Sequence, residues 1–203
     1  MGRAVTDPLI DAEDEASTPL TPEERDALIP SYISQRRELN EVEQIGIADA
    51  DAWALSRRRD VLSEEFLRTL HRRMFGDVWR WAGELRTTPR NIGIDAWDIA
   101  PQLRMLLDDV RYWIEHRTFP PDEIAVRLHH RLTWIHPFPN GNGRHARLAA
   151  DLLARQLGQP RFTWGSGGDL GAIAEIRRRY VEALRLADAE RDNVGPLLGF
   201  ARS

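Results

Sequence analysis

Apolar residues recur at every third or fourth position along most of the chain, which is the spacing expected of α-helices packed on a core. The first long helix is predicted from about Ser34 to Leu55, and a second begins at Ser63. Two further helices, from about Pro101 to His116 and from Pro121 to Trp134, begin with proline, whose missing N–H is tolerated in the first turn. The pattern therefore predicts a mainly helical protein.

The C-terminal part of the pattern adds three helices, and the N-terminal part adds a short one. The segment from Asn142 to Leu157 stops at Gly158, a residue type that commonly follows a helix. Others are predicted at about Asp169–Ala189 and Val194–Phe200. A short helix begins near Thr21, where Thr-Pro-Glu-Glu is a helix-start signal. The fold class predicted from these segments is all-α.

Two segments break the helical pattern. Gly83–Asp98 contains two glycines and a proline, with a turn signal at 91–93, and is predicted to be a loop or a small β-hairpin. Residues 1–18 are acidic, small and aperiodic, which is typical of a disordered tail. We therefore divide the chain into disordered residues 1–18, a helical extension over 19–58 and a main domain over 59–203.

Composition narrows the classes of function. The chain has 203 residues, which suits one domain with an extension. It has no cysteine, so disulfides and thiolate metal sites are excluded. Its formal net charge of -4 argues against direct binding of nucleic acid. No apolar run approaches the ~20 residues of a membrane helix. The N-terminus has no apolar signal segment, so we expect a cytoplasmic protein without membrane contact.

The candidate chemistry lies in the twelve residues from His136 to Arg147, which read HPFPNGNGRHAR. Gly141 and Gly143 allow the backbone to approach a ligand closely. The helix that follows presents unpaired N–H groups and the positive end of its dipole. Arg144 and Arg147 lie about one turn apart on this helix, outside its apolar stripe. Together these features predict a binding site for a di- or triphosphate.

His136 stands immediately before this phosphate cradle. An imidazole with an ordinary pKa of about 6.5 can take a proton from an incoming hydroxyl near neutral pH. The simpler interpretation is a structural histidine before a loop, and Arg147 could merely pair with Asp151 one turn further on. The conjunction of a histidine, a glycine turn and two arginines at close spacing favours the catalytic interpretation.

Three other functions fit parts of the sequence. A metal enzyme could use the four histidines near the motif, although adjacent helical residues point ~100° apart and the motif has no acidic partner. These histidines are His129, His130, His136 and His145. A DNA-binding regulator could use the arginine-rich segment 176–180, although the acidic net charge opposes it. A nucleotide-sensing or interaction module would keep the cradle without turnover.

The twelve-residue motif resembles the signature of the Fic family, HxFx(D/E)GNGRxxR, at every fixed position but one. Upstream, Leu70–His71, Phe75–Asp77 and Trp81–Arg86 are similar to the segments that precede this signature in Fic domains. The resemblance covers about residues 60–187. It implies the Fic fold, a helical bundle around a central motif helix with a small β-hairpin flap, and it makes 59–203 the catalytic domain.

A narrower resemblance is to the Fic subgroup called mobile mystery protein B. It is carried by TPLTPEER and ELNEVEQ in the N-terminal part of the chain and by PRFTWG after the motif helix. This resemblance implies a toxin-like protein encoded on a mobile element, beside a gene for a helix-turn-helix partner protein.

The family resemblance also implies a reaction, the transfer of AMP from ATP to a hydroxyl of a target protein with release of pyrophosphate. His136 would be the general base toward a serine, threonine or tyrosine of the target. Arg144 and Arg147 would hold the β- and γ-phosphates, and the backbone before them would form an anion hole. The nucleotide-binding residues implied in this way are Gly141, Asn142, Gly143, Arg144 and Arg147.

The loop from about Thr87 to Trp97 corresponds to the flap with which the family aligns a target segment through strand-like contacts. Ile92, Ile94 and Trp97 are the residues expected to contact the target. Packing of an ordinary surface loop would explain the same residues equally well.

The motif departs from the family at Asn140, where the family has an aspartate or glutamate that binds Mg²⁺. Asparagine offers one neutral carbonyl oxygen, and Mg²⁺ prefers charged oxygen ligands. We therefore expect Mg²⁺ or Mn²⁺ to bind weakly and mainly through the nucleotide. Three outcomes stay open: slow AMP transfer, a different donor or leaving group, and nucleotide binding without catalysis.

Many Fic proteins are inhibited by a helix with the pattern (S/T)xxxE(G/N), whose glutamate pairs with the second motif arginine. Ser34 and Glu38 fit this pattern, except that Leu39 follows in place of glycine or asparagine. The resemblance predicts that Glu38 pairs with Arg147 and withholds it from ATP. Two neighbouring glutamates that could take this role are Glu41 and Glu43.

Overall fold

The computed structural model describes residues 22–165, 173–190 and 193–203. The α-helices in these ranges, numbered α1 to α8 in chain order, are Pro22–Arg25, Arg36–Leu55, Glu64–Phe75, Ile99–His116, Pro121–Ile135, Asn142–Gln156, Ile173–Ala189 and Gly195–Ala201. No β-strand forms in the same ranges, so the predicted all-α class is confirmed. The predicted tail over 1–18 and the predicted helix starts at Thr21 and Asp169 lie outside the described residues.

Helix α6 lies at the centre of the bundle, where it packs against α5, α3 and α2. The apolar stripe predicted for this helix is buried, since Ala146, Ala149, Ala150 and Leu153 are almost inaccessible to solvent. Small alanine side chains allow α5 to approach closely, and dense packing of this kind makes an interior rigid. The helix that carries the two motif arginines is therefore anchored along its buried side.

Helix α2 belongs to the N-terminal extension and is fastened to α6 by a shared arginine. Arg161 pairs with Asp51 of α2 at 2.5 Å and with Asp151 of α6 at 3.2 Å. The indole Nε1 of Trp164 donates to the other Asp151 oxygen at 3.1 Å. Helix α2 is therefore held beside the motif helix along part of its length.

The loop between α5 and α6 is a tight turn with left-handed backbone at both ends. His136 follows α5 with φ 54° and ψ 61°, and Gly141 precedes α6 with φ 77° and ψ 2°. A β-carbon at position 141 would lie only 2.6 Å from the ring of Phe75. Glycine is therefore required at position 141 by backbone conformation and by packing.

The predicted flap forms no β-hairpin. Residues 87–95 are neither helix nor strand, and a 3-10 turn over Ala96–Asp98 then leads directly into α4. The guanidinium of Arg86 accounts for this, because it binds the carbonyl oxygens of Thr88 and Ile94. Carbonyl groups that bind a side chain in this way are not available for cross-strand pairing.

In the part of the chain that the structure describes, no helix combines the length and the apolar character needed to cross a membrane.

Candidate functional site

The loop that carries the motif is fixed by the side chain of Asn142. Its Oδ1 accepts a hydrogen bond from the backbone N–H of Phe138 at 2.9 Å, and its Nδ2 donates to the carbonyl of the same residue at 2.8 Å. Both residues are buried. Asn142 was predicted to contribute its backbone to the anion hole, and this stays a prediction; its side chain is used within the loop.

His71 supports the same loop from α3 and was not predicted as a site residue. The N–H of Gly83 donates to its Nδ1 at 2.9 Å, so the ring proton must lie on Nε2, which donates to the carbonyl of Asn140 at 3.0 Å. Its ring stacks on Phe138 with 3.8 Å between centroids. Burial lowers the pKa of His71 well below its usual value. One signal for this role was present in the sequence, since His71 lies on the apolar side of the helix predicted to begin at Ser63.

The two motif arginines project from the first turns of α6 into different surroundings. The Nη1 of Arg144 lies 2.7 Å from Glu43 Oε2, and its guanidinium lies 4.9 Å from the ring centroid of Phe75. The guanidinium of Arg147 lies 5.3 Å from the ring centroid of Tyr180. Both cations are therefore held near the positively polarised end of the helix, where an anionic phosphate chain is favoured.

The glutamate that reaches the motif is Glu43 on α2. This residue is only 4% exposed. One carboxylate oxygen accepts from Trp79 Nε1 at 2.9 Å and the other binds Arg144. Glu43 had been considered only as a substitute for Glu38.

The predicted pairing of Glu38 with Arg147 is corrected by the structure. Glu38 Oε2 instead accepts hydrogen bonds from the backbone N–H groups of Ser34 at 2.9 Å and Gln35 at 3.0 Å. Because α2 begins at Arg36, these N–H groups belong to the start of the helix and need an acceptor of this kind. Glu38 therefore caps α2 together with the N-cap residue Gln35, and a pattern of spacing alone did not distinguish this cap from a contact to the motif.

His136 lies at the end of α5, with its N–H donating to the carbonyl of Leu132 at 3.0 Å. Burial is the main cause that lowers the pKa of His136 to about 4, and the positive charges of Arg86 and Arg90 act in the same direction. The imidazole is therefore neutral at pH 7 and able to accept a proton.

The part of the flap that lies against His136 is Gly93. Gly93 has φ 97°, and a β-carbon there would lie 2.5 Å from His136 Cβ and 2.9 Å from Arg86 Nη2. Of the predicted target contacts, Trp97 is 79% exposed, whereas Ile92 and Ile94 are half-buried and Ile94 packs against the core. Of the three predicted contacts, Trp97 is therefore the one that presents its side chain to solvent.

Asn140 contributes little to a cation site. Its Oδ1 accepts the N–H of Gly141 at 2.6 Å, and its main-chain carbonyl accepts from His71. A single neutral oxygen that already accepts a hydrogen bond does not form a Mg²⁺ site, because this ion prefers several hard oxygen ligands, usually including carboxylates.

Three of the four histidines of the rival metal hypothesis have separate partners. His129 Nε2 lies 3.1 Å from the Tyr180 hydroxyl, His130 Nε2 lies 2.8 Å from Asp188, and His145 Nε2 lies 2.9 Å from the Leu67 carbonyl. Among the residues that the structure describes, no three histidine, aspartate or glutamate side chains are grouped to hold a metal ion. The geometry therefore gives no support to a histidine metal centre.

Named proteins are similar in sequence to this chain over most of its length. "Protein adenylyltransferase fic-1" of Caenorhabditis elegans is 32% identical over 175 residues, which are 82% of this chain and 31% of that protein. "Protein adenylyltransferase Fic" of Drosophila melanogaster is 32% identical over 153 residues, which are 73% of this chain and 28% of that protein. The chain thus spans about a third of the length of the curated relatives it matches.

Solved structures share the fold. The structure of Fic-1 from C. elegans superposes with a TM-score of 0.63 at 27% identity, covering 89% of this chain and 52% of that one. BepC from Bartonella tribocorum, solved with bound AMPPNP, gives a TM-score of 0.67 at 17% identity, covering 90% of this chain and 97% of that one. The sequence profile of the Fic/DOC family matches residues 61–154, which run from before α3 almost to the end of α6. This chain therefore contains a Fic/DOC family domain.

Proposed function

We propose that this chain transfers AMP from ATP to a hydroxyl group of a target protein and releases pyrophosphate. The observation that carries the proposal is a neutral, fixed His136 at one end of the motif loop, with Arg144 and Arg147 in the first turns of the helix at its other end. The names of the relatives, which describe them as adenylyltransferases, point to the same reaction.

In the proposed step the target oxygen attacks the α-phosphorus while His136 takes the hydroxyl proton. The bond from the α-phosphorus to the bridging oxygen breaks, and pyrophosphate leaves with its negative charge. Arg144, Arg147 and the N-terminal N–H groups of α6 stabilise that charge. Bound triphosphate is itself anionic, so it raises the pKa of His136 from its lowered value toward neutral pH, where a general base works best.

A divalent cation would neutralise the phosphate chain when it is bound, but the described residues of this chain do not group to form a site for it. We therefore assign it no step and expect the nucleotide to supply most of its ligands. Mg²⁺ or Mn²⁺ remains a prediction that rests on the family resemblance.

Replacing Asn140 by aspartate is expected to strengthen the response to Mg²⁺. A carboxylate binds the ion more strongly than an amide oxygen, so the Mg²⁺ concentration for half-maximal ATP binding should fall about tenfold, equivalent to ~1.4 kcal/mol. Binding of a fluorescent ATP analogue at varied Mg²⁺ measures this without any turnover. Asn140→Ala is the control, and an unchanged Mg²⁺ response in Asn140→Asp would show that position 140 does not touch the ion.

We also propose that α2 inhibits the site through Glu43. The Glu43 carboxylate occupies Arg144, which the transfer reaction needs for the phosphate chain. Its burial and its second bond to Trp79 hold it in place. ATP must therefore displace this carboxylate before Arg144 can bind phosphate.

Replacing Glu43 by alanine is expected to increase AMP transfer by about 10- to 100-fold. This factor corresponds to the roughly 1.5–3 kcal/mol of a hydrogen bond to a charged group. Transfer of α-labelled ATP and the Kd for ATP measure the change. Glu41→Ala is the matched control on the same helix, because Glu41 is exposed. If Glu38→Ala raises transfer and Glu43→Ala does not, the inhibitory glutamate has been misassigned.

The remaining proposals concern partners. We expect a target protein that presents serine, threonine or tyrosine, with Trp97 as the main apolar contact on the flap. We keep the helix-turn-helix partner protein and the toxin-like role on a mobile element as predictions from the resemblance to mobile mystery protein B. The cytoplasmic location stays a prediction from the lack of an apolar signal segment in the sequence.

A second function is favoured by one observation, the amide at position 140. A module that binds nucleotide without turnover would keep the arginines and the helix N-terminus and would lose only the cation ligand. The discriminating experiment compares Glu43→Ala with Glu43→Ala/His136→Ala, incubated with α-labelled ATP, a cell extract and Mg²⁺ or Mn²⁺. Protein-bound label only in the single variant supports transfer. ATP binding without label in either variant would overturn it in favour of the binding module.

A further inference from the structure

Arg86 lies buried between the motif loop and the flap, with only 3% of its surface exposed. On one side its Nε donates to the carbonyl of His136 at 2.6 Å, and Nη2 lies 3.4 Å from the carbonyl of Ile135. On the other side Nη1 donates to Thr88 O at 3.0 Å and Nη2 to Ile94 O at 2.5 Å. One side chain therefore joins two segments that are about 40 residues apart in sequence.

The acceptors of this guanidinium are main-chain carbonyl groups. Those of Ile135 and His136 lie at the C-terminal end of α5, where the helix dipole is negative and a cation is favoured. The backbone N–H of Arg86 adds a bond to Pro137 O at 2.9 Å. A planar guanidinium can serve several carbonyls in fixed directions, whereas a lysine ammonium is a flexible point charge. The arrangement therefore depends on arginine in particular.

We propose that Arg86 is a positioning residue that sets the main-chain position of His136 and of the flap together. The inference rests on the proposed role of His136 as the general base. The bond from Arg86 to the His136 carbonyl holds this residue at its left-handed ψ of 61°, and so holds the main chain from which the imidazole projects. The flap meets it at Gly93, whose missing side chain permits the close approach. The imidazole and the target hydroxyl would then be held in a fixed position relative to each other beside the α-phosphate.

Two variants test this proposal in the Glu43→Ala background. Arg86→Met removes both the positive charge and the hydrogen bonds of the side chain. Arg86→Lys keeps the charge but loses the planar set of N–H donors that the guanidinium provides. We expect the turnover rate at saturating ATP to fall about 100-fold in both, since a displacement of about 1 Å has that effect. The Kd for ATP should stay within twofold, because the phosphate cradle lies on α6. Arg127→Met is the control, a largely buried arginine on α5 that pairs with Glu123 and is expected to leave the rate unchanged.

Titration of His136, followed by NMR with labelled histidine, separates positioning from charge. Arg86 and Arg90 are the charged groups whose fields act on this ring. In Arg86→Met the pKa of His136 should rise toward its usual value, and in Arg86→Lys it should stay lowered. A loss of rate in both variants, with a changed titration in only one, is the expected result.

Two results would overturn the inference. Arg86→Lys with the parent rate would overturn it, because charge alone would then suffice. Unchanged amide exchange over 87–95 in both variants would also overturn it, since the flap would not depend on Arg86. If Arg86→Met does not fold, Arg86→Lys, which keeps the charge and the aliphatic stem, carries the test. If the parent transfers no AMP, the proposed function fails, while the titration and the amide exchange still decide the role of Arg86.

Discussion

Replacing His136 by alanine is expected to lower AMP transfer by about 10²- to 10⁴-fold, the usual contribution of a general base. The imidazole is neutral in the folded chain because burial and two nearby arginines lower its pKa to about 4. Alanine removes the proton acceptor and leaves Arg144 and Arg147 in place. ATP should therefore bind with its affinity almost unchanged. Transfer of α-labelled ATP in the Glu43→Ala background and a separate binding titration measure the two effects.

The matched control for this substitution is His130→Gln on the same helix. His130 pairs with Asp188 and takes no part in the proposed reaction. Its loss tests whether removal of any histidine from α5 disturbs the site. Equal transfer by His136→Ala and its parent would rule out His136 as the base, and loss of ATP binding would show that the substitution disrupts the cradle.

Acid is expected to destabilise the protein between about pH 6.5 and pH 4, because burial holds several histidines in the neutral form. Burial lowers the pKa of His129 to about 3 and those of His136 and His145 to about 4, and it lowers the pKa of His71 well below its usual value. In the unfolded chain each would titrate near 6.5. Between these limits the unfolded state binds more protons, so stability falls as the pH falls.

The size of this effect is set by the number of histidines. Between its unfolded and folded pKa values, each of these histidines lowers the free energy of unfolding by about 1.4 kcal/mol for every pH unit that the pH falls. At pH 5 the three histidines with a pKa of about 3 or 4, His129, His136 and His145, would together reduce the free energy of unfolding by about 6 kcal/mol, which is comparable to the whole stability of many domains. Urea denaturation at pH 7, 6 and 5 measures the slope, and His129→Gln should reduce it by about a third. A free energy of unfolding that is constant over this range would show that these rings are not buried neutral.

Much of the fold followed from the apolar pattern, because burial imposes a helical period on the sequence. The stripe of Ala146, Ala149 and Leu153 placed α6 in the core, and the structure confirms it. The six-residue loop before that helix was also readable, since glycine and proline restrict the backbone strongly. The same pattern could not exclude a hairpin at 87–95, because the side chain that takes its carbonyl groups lies outside the segment.

The candidate site was less predictable where a role depends on which partner a side chain meets. Glu38 and Glu43 are both glutamates on α2, and spacing did not show that one caps the helix while the other reaches Arg144. The motif position of Asn142 predicted a role for its backbone in the anion hole, and it did not show that its side chain fixes the loop. Arg86 was missed as a site residue because its partners are carbonyl groups, which every residue type possesses.

The close approach of Gly93 to His136 limits how the flap can diversify during evolution. Any side chain at position 93 would place a β-carbon 2.5 Å from His136 Cβ and strain a backbone with φ 97°. A substitution there would therefore displace His136, the proposed base. Trp97 faces solvent and carries no such constraint. A lineage that acquires new targets is therefore free to vary the outward side of the flap. Gly93 lacks this freedom, because it lies against the proposed base that would act on every target.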